Sequence, residues 1–300
     1  MFKYYYWLYL VAGICFMSCD DQPSSHRVQT DTLEATKMGK FYPKPSIIAK
    51  PTTQQETTSP ETERDVFQPK PTYRKKASRN IPYITWRPLT TIQKTKVWIS
   101  NMGSAIFFKS GMSIDADGSP KAYHPKNIGL DDLKHAGKNG HWWALATKNG
   151  KPVVQKNGYY VSTTSLQDFR YTPWDQRRYV NAEKIPYIVL PPKVKKLGKV
   201  SLGDLAVVYN AYNGRWTYAI YADTGADSRI GEGSIALAKK LGINANARKG
   251  GISQGVVYVV FPGSGTRTPL SNTRIHVQGA NCFQRLGGIT HLKFWDRKLH

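Results

Sequence analysis

Two acidic residues nine positions apart, Asp223 and Glu232, are the side chains of this 300-residue chain best placed for acid–base chemistry. An apolar run, Arg215–Ala222, precedes the first acid and predicts a strand, whereas the stripe of apolar residues in Gly233–Leu241 predicts a helix. Asp223 should therefore end a strand and Glu232 should begin a helix, with a glycine-rich turn between them. Two carboxyl groups held on rigid elements can act as a general acid and a general base.

Hydrolysis of a glycosidic bond is one reaction that uses such a pair. When the anomeric configuration inverts, the two carboxyl groups lie roughly 6.5–9.5 Å apart, which one turn between a strand and a helix can provide. A helix N-terminus would keep Glu232 ionised as the base, and the apolar neighbours of Asp223 would raise its pKa and make it the acid. The reverse assignment stays open. On the residues alone, a purely structural turn and helix start is the favoured interpretation.

A resemblance to a known family reverses that preference. The segment Tyr221–Lys240, with its Asp-Thr, short spacer and Gly-Glu-Gly-Ser, resembles the signature of the family 75 glycoside hydrolases, the chitosanases first described in fungi. Further segments resemble the family in the same order over about residues 100–290, namely Phe107–Pro125, Gly158–Leu166, Ile185–Pro192, Gly203–Val208 and Val259–Ser264. The resemblance implies an inverting endo-chitosanase whose essential acids fall on Asp223 and Glu232.

Asp115 and Asp117 form a second acidic pair, in the run Asp-Ala-Asp-Gly. This run begins like an EF-hand calcium loop, but Lys126 occupies the twelfth position, where the closing glutamate would stand. A turn stabilised by its own side chains is the structural interpretation. The functional one is a cleft wall that binds substrate amines or hydroxyls, together with His124. The sequence predicts no metal site and no cofactor.

Aromatic side chains offer the flat apolar faces on which sugar rings stack. Trp142 and Tyr160 are our candidates for substrate contact. Trp142 and Trp143 are adjacent in a predicted strand, so their side chains should face opposite ways and at most one should enter a cleft.

Short apolar runs separated by glycine turns predict an α+β fold that is mostly β, a β-barrel-like single catalytic domain with a few short helices. Asn213-Gly214 predicts a two-residue hairpin turn. The predicted strands are Ala105–Lys109, Trp142–Thr147, Tyr159–Thr163, Tyr187–Leu190, Asp204–Tyr209, Arg215–Ala222 and Val256–Phe261. The predicted helices are Leu130–Gly137, Gly233–Leu241 and Thr273–Leu286.

The first 80 residues are organised differently from the rest. Residues 1–19 read as a signal peptide whose Ser-Cys ending resembles a lipoprotein box, so we expect lipidation of Cys19. The alternatives are an ordinary signal peptide cut elsewhere and an uncleaved anchor. Residues 20–80 are rich in Pro, Thr, Ser and Lys and predict a disordered linker, and residues 81–300 predict the catalytic domain. Cys282 would then be a buried structural cysteine.

The chain is strongly basic, with a formal charge of +23 from 43 basic and 20 acidic residues. Anionic envelope polymers, a lipid surface or nucleic acid would attract it, but no pattern typical of specific nucleic-acid binding is present in the sequence. Our leading hypothesis is an exported, lipid-anchored and monomeric hydrolase of chitosan. The alternatives are a hydrolase of another amino sugar polymer, such as peptidoglycan, and a catalytically silent envelope lipoprotein that binds glycans.

Overall fold

A computed structural model describes residues 83–300 of the chain. The predicted signal peptide, Cys19 and the linker lie outside these residues. None of the helices formed by residues 83–300 combines the length and the hydropathy that crossing a membrane requires.

The described residues form twelve strands and four α-helices. The longer strands are β1 Trp86–Ile92, β2 Thr95–Ser100, β3 Ile106–Asp115, β8 Tyr187–Leu190, β9 Leu205–Asn210, β10 Trp216–Thr224, β11 Glu232–Ser234 and β12 Ile252–Phe261. Two short hairpins consist of β4 Gly137–Lys138 with β5 His141–Trp142, and β6 Thr147–Lys148 with β7 Lys151–Pro152. The helices are α1 Pro192–Gly198, α2 Ile235–Leu241, α3 Asn272–Arg285 and α4 Gly288–Leu299.

Six of the strands close into a barrel, in the order β3-β11-β8-β10-β9-β12 and back to β3. The pairs β3–β11 and β8–β10 are parallel and the remaining four are antiparallel. Strands β2 and β1 continue the sheet from β3 as a hairpin. The predicted fold, mostly β with short helices and a barrel, is confirmed.

Both faces of the barrel wall are buried. Successive side chains of a strand point to opposite faces, so Ile106 and Phe108 enter one apolar cluster and Phe107 enters another. The first cluster includes side chains of α1 and α2, and the second includes side chains of α3 and α4, Cys282 among them. Because each face has a cover, a strand such as β12 is apolar without interruption from Val256 to Phe261, which is why the sequence shows it so clearly.

Two predicted strands and one predicted helix are wrong. Trp142–Thr147 and Tyr159–Thr163 form short hairpins and isolated bridges in a long irregular segment. Leu130–Gly137 contains a single 3₁₀ turn, Leu133–His135. There, the buried Asp131 carboxylate accepts hydrogen bonds from the Asp132 amide and the His135 ring, which favours a turn over a regular helix. The hairpin between β9 and β10 is present, but its connection is longer than the predicted Asn-Gly turn.

Helix α2 begins later than predicted, and Glu232 does not belong to it. Ser234 is the N-cap, and its hydroxyl accepts a hydrogen bond from the Leu237 amide. Gly242 ends the helix at φ +65°, a left-handed conformation that glycine adopts without steric cost. Glu232 and Gly233 are drawn instead into β11, where they pair with β3 and β8.

Candidate active site

One row of paired residues crosses four neighbouring strands of the barrel wall. It runs from Ser113 on β3 to Glu232 on β11, Val189 on β8 and Asp223 on β10. Paired residues share a face of the sheet, so the two acids project from the same side. Strand β8 lies between the strands that carry Glu232 and Asp223. Because neighbouring strands are ~4.8 Å apart, the Cα atoms of the two acids lie roughly 10 Å from each other.

A β-bulge places Asp223 in this row. Strand β10 pairs Tyr221 with Ile188 and then Asp223 with Val189, so that Ala222 is an extra residue. In an unbroken ladder Asp223 would lie beside Leu190, which belongs to the apolar cluster that includes α1 and α2. The extra residue therefore turns the carboxylate to the face on which Glu232 lies.

Three donors hold the Asp223 carboxylate. Its Oδ1 accepts hydrogen bonds from the Ser165 hydroxyl at 2.6 Å, the Ser165 amide at 3.0 Å and the Thr224 amide at 2.7 Å. Burial raises the pKa of Asp223, and these hydrogen bonds oppose the rise because they stabilise the charged form. Asp223 therefore occupies a buried position that nevertheless supports a carboxylate.

The surroundings of Glu232 differ. No hydrogen bond joins its carboxyl group to the rest of the described range, residues 83–300. Burial raises its pKa, the Arg229 guanidinium opposes the rise, and the charge of Asp223 adds to it. The predicted effect of a helix dipole on Glu232 is wrong, because the residue lies in a strand that precedes the N-cap. Unlike Asp223, Glu232 has no hydrogen-bond donor among the described residues that stabilises its charged form against the effect of burial.

Asp115 and Asp117 join the pair. Asp115 lies two residues beyond Ser113 on the same face of β3, and its Oδ1 accepts the Asp117 amide at 2.7 Å. Within residues 83–300, one trio of acids, Asp115, Asp117 and Asp223, has carboxylate oxygens within 4.8 Å of one another. Burial raises the pKa of Asp115 and of Asp117 well above the ordinary value, and neighbouring carboxylates raise both further. Such a trio could hold a divalent cation or the ammonium groups of a substrate.

The four acids lie in one cleft of about 930 Å³, which we call the central cleft. Besides them it is lined by Asp131, Lys134, His135, Trp143 and Arg229, among others.

Family membership follows from a comparison with family models. Residues 112–291 match the model described as fungal chitosanase of glycosyl hydrolase group 75, which is three fifths of the chain and includes all four acids. The chain belongs to glycosyl hydrolase group 75. It is a glycoside hydrolase, and the predicted resemblance to this family is confirmed. Comparison with curated proteins gives no match.

Three predicted substrate contacts lie outside the lining of the central cleft of this group 75 enzyme. Trp142 packs against an apolar cluster, and its ring faces Gly137, where even a Cβ atom would collide with it. Tyr160 packs against the same cluster, and the His124 ring contacts Tyr159. Of the tryptophan pair, Trp143 lines the cleft and Trp142 does not.

Sequence reasoning missed several groups in and around the central cleft of the hydrolase. Ser165, which holds Asp223, shows no signal because serine is common in loops. Asp131 and His135 are four positions apart, and that spacing was visible within the segment predicted as a helix. The exposed Arg229 lies in the turn between the two principal acids and looked like ordinary turn composition.

The crowded acids of this group 75 enzyme should destabilise its fold at neutral pH. Asp115→Asn is expected to raise Tm by a few degrees at pH 7, since roughly 2–4 °C accompanies each kcal/mol in a domain of this size. The pKa of Asp115 is raised in the folded state, so the protonated carboxyl group is tolerated and the charged one is not. The fold therefore has its full stability below the ordinary pKa of 3.8 and loses part of it as the pH rises through the folded-state pKa. The gain should therefore shrink at pH 4, as thermal unfolding at both pH values would show.

The matched control is Asp168→Asn. The Arg170 side chain holds the pKa of this loop carboxylate below its usual value, so the loss of the carboxylate should not stabilise the fold. A lower Tm for Asp115→Asn at pH 7 would contradict the inference that the crowded acids destabilise the fold.

Proposed function

We propose that the enzyme is an endo-chitosanase that hydrolyses β-1,4 linkages of chitosan with inversion of the anomeric configuration. The observation that carries the proposal is the placing of Asp223 and Glu232 in one row, separated by one strand, within the cleft that the acids line. A Cα separation of roughly 10 Å, with both side chains on one face, suits carboxyl groups ~6.5–9.5 Å apart, which leaves room for a water molecule.

The two environments assign the roles. Glu232, half-buried and without hydrogen-bond donors from residues 83–300, donates its proton to the leaving oxygen while the bond from that oxygen to the anomeric carbon breaks. Asp223, kept charged by Ser165 and Thr224, removes a proton from the water that attacks the anomeric carbon. This is the reverse of the assignment that the sequence favoured, because the helix dipole does not act on Glu232.

The acids of the central cleft also favour the binding of a cationic substrate. Chitosan carries ammonium groups below neutral pH, and the chain as a whole carries a formal charge of +23, which should repel it. Screening confines that general field to about 8 Å at physiological salt, whereas the carboxylates of Asp115 and Asp117 would contact the substrate directly. Their raised pKa values fall back when an ammonium group binds, since a positive charge stabilises the ionised form.

A second candidate is a hydrolase of peptidoglycan. The net charge favours it, because anionic envelope polymers would attract the enzyme, and Lys134 and Arg229 contribute positive charge to the cleft lining.

Incubation of the purified full chain with chitosan, chitin and peptidoglycan separates the candidates. We expect glucosamine oligomers from chitosan, sized by mass spectrometry, and faster cleavage of chitosan than of chitin. Cleavage of peptidoglycan with chitosan left intact would replace the proposal with the second candidate.

We also propose export and anchoring of the enzyme as a lipoprotein. The support is the order of charged residue, apolar run and Ser18-Cys19 at the N-terminus. Mass spectrometry of the mature protein should find a lipid on the Cys19 thiol. An unmodified N-terminus downstream of Cys19 would refute the anchor.

A further inference from the structure

The segment 127–143 forms a part of the cleft wall that is separate in sequence from the four acids. Arg248 clamps its first half. The guanidinium donates hydrogen bonds to the carbonyl oxygens of Asn127 at 2.7 Å and Gly129 at 3.0 Å, and to the Asp132 carboxylate at 2.8 Å. A planar guanidinium with several acceptors fixes orientation as well as position. Side chains from this segment are therefore presented to the central cleft on a preformed support.

Trp143 is held with its ring exposed. Its side chain lines the central cleft, and the residue is 61% exposed. The indole Nε1 donates a hydrogen bond of 2.6 Å to the His135 carbonyl oxygen, and the Trp143 amide donates to the Ala136 carbonyl oxygen. The indole N–H is thus bonded within the protein, and the exposed ring forms part of the cleft lining.

His135 is held in a similar way. Its Nδ1 lies 2.9 Å and 3.1 Å from the two carboxylate oxygens of Asp131, which is only 5% exposed. A carboxylate accepts hydrogen bonds, so Nδ1 carries the proton and donates to Asp131. In the neutral ring Nε2 is then an acceptor, and the side chain is 49% exposed.

We propose that Trp143 and His135 form a sugar-binding subsite of the central cleft. The apolar face of one pyranose ring stacks on the indole, and a hydroxyl or amine of that sugar donates a hydrogen bond to Nε2 of His135. The subsite shares the lining of the central cleft with Glu232, whose carboxyl group is assigned to the leaving oxygen. Asp131 is a positioning residue, since it acts through His135. The identity of the polymer rests on the proposed function.

The test is calorimetric titration of the Glu232→Gln full chain with glucosamine hexamer. Adding Trp143→Ala is expected to weaken binding roughly 3- to 10-fold, the range that corresponds to one aromatic contact. Trp143→Phe keeps an aromatic face without the anchoring N–H and should give an intermediate loss. His135→Ala should weaken binding as well, and His135→Gln, which keeps an acceptor near the position of Nε2, should restore part of it.

The matched control is Trp174→Ala. Trp174 is also exposed and also donates its Nε1 to a carbonyl oxygen, that of Thr147, but it lies outside the central cleft. We expect unchanged binding for this variant. In the otherwise wild-type enzyme, Trp143→Ala should raise KM while kcat stays within about 3-fold, which a merely structural role would not predict. Unchanged binding of the hexamer in both Trp143→Ala and His135→Ala would overturn the subsite.

The design separates the failure of this proposal from failure of the proposed function. N-acetylglucosamine hexamer and cellohexaose are titrated alongside. If chitosan is not the substrate but the subsite exists, one of these hexamers should bind instead, with the same sensitivity to Trp143→Ala. If chitosan is cleaved and the variants bind normally, the proposed function stands and the subsite fails.

Discussion

Glu232→Gln is expected to lower kcat on chitosan by roughly 10²–10⁴-fold, the usual cost of losing a general acid. The amide has nearly the size of the carboxyl group but no proton to give to the leaving oxygen. The fold should survive because Glu232 pairs with its neighbours through the backbone of β11, which the substitution leaves intact. The measurement is the initial rate on chitosan, and circular dichroism and Tm check that the fold is intact.

Asp227→Asn is the matched control for this loss. Asp227 is an exposed acid in the same turn, where its carboxylate accepts a hydrogen bond from the Lys193 amide. Its replacement should leave kcat within about 2-fold of the wild-type value, as surface changes usually do. Full activity of Glu232→Gln would remove Glu232 from the mechanism and direct attention to Asp115 and Asp117.

The leaving group tests the role of Glu232 further. A general acid matters less when the leaving group is a weak base, because such a group departs without a proton. The deficit of Glu232→Gln should therefore shrink on an aryl glycoside with an acidic phenol, whereas the deficit of Asp223→Asn should persist. An equal deficit on both substrates for Glu232→Gln would restore the assignment that the sequence favoured.

The sequence predicted five of the six barrel strands, β11 being the exception, because both faces of the wall are buried. Strands such as Tyr187–Leu190 and Val256–Phe261 are continuous apolar runs, and only a core position requires that composition. The irregular segment between β3 and β8 was harder, since its apolar residues pack against the barrel without regular pairing. There, the Asp131 carboxylate accepts a hydrogen bond from the His135 ring and the Gln176 amide donates to two carbonyl oxygens, and such side-chain hydrogen bonds decide the path of the chain.

The sequence identified the two principal acids of the site but not the elements that hold them. The motif around Asp223 and Glu232 identified both acids, yet it placed Glu232 in a helix, because Gly233–Leu241 is periodic and gives no sign that its first residues pair with β3 and β8. The bulge at Ala222 leaves no mark in the sequence either. Pairing across the sheet depends on distant strands, and local propensity cannot report it.

Asp223→Ala is expected to lower kcat by roughly 10²–10⁴-fold, and added azide should restore part of the rate. Removing the carboxylate leaves space beside Ser165 and Thr224, where the small anion can attack the anomeric carbon without a base. Attack from the side of the missing water yields an α-glycosyl azide from a β-linked substrate. NMR of the product identifies this anomer.

Two comparisons make the azide result decisive. Glu232→Ala should give no α-azide, because the water-activating base is still present and the missing group lies on the leaving side of the sugar. The wild-type enzyme should release the α-anomer first, since a single displacement by water inverts the configuration, whereas a covalent glycosyl-enzyme would return the β-anomer. An initial β-anomer would contradict the base role of Asp223, because the carboxylate would then have to act as a nucleophile. In that case the carboxyl groups of Asp223 and Glu232 would have to approach each other to the ~5–5.5 Å that a retaining pair requires.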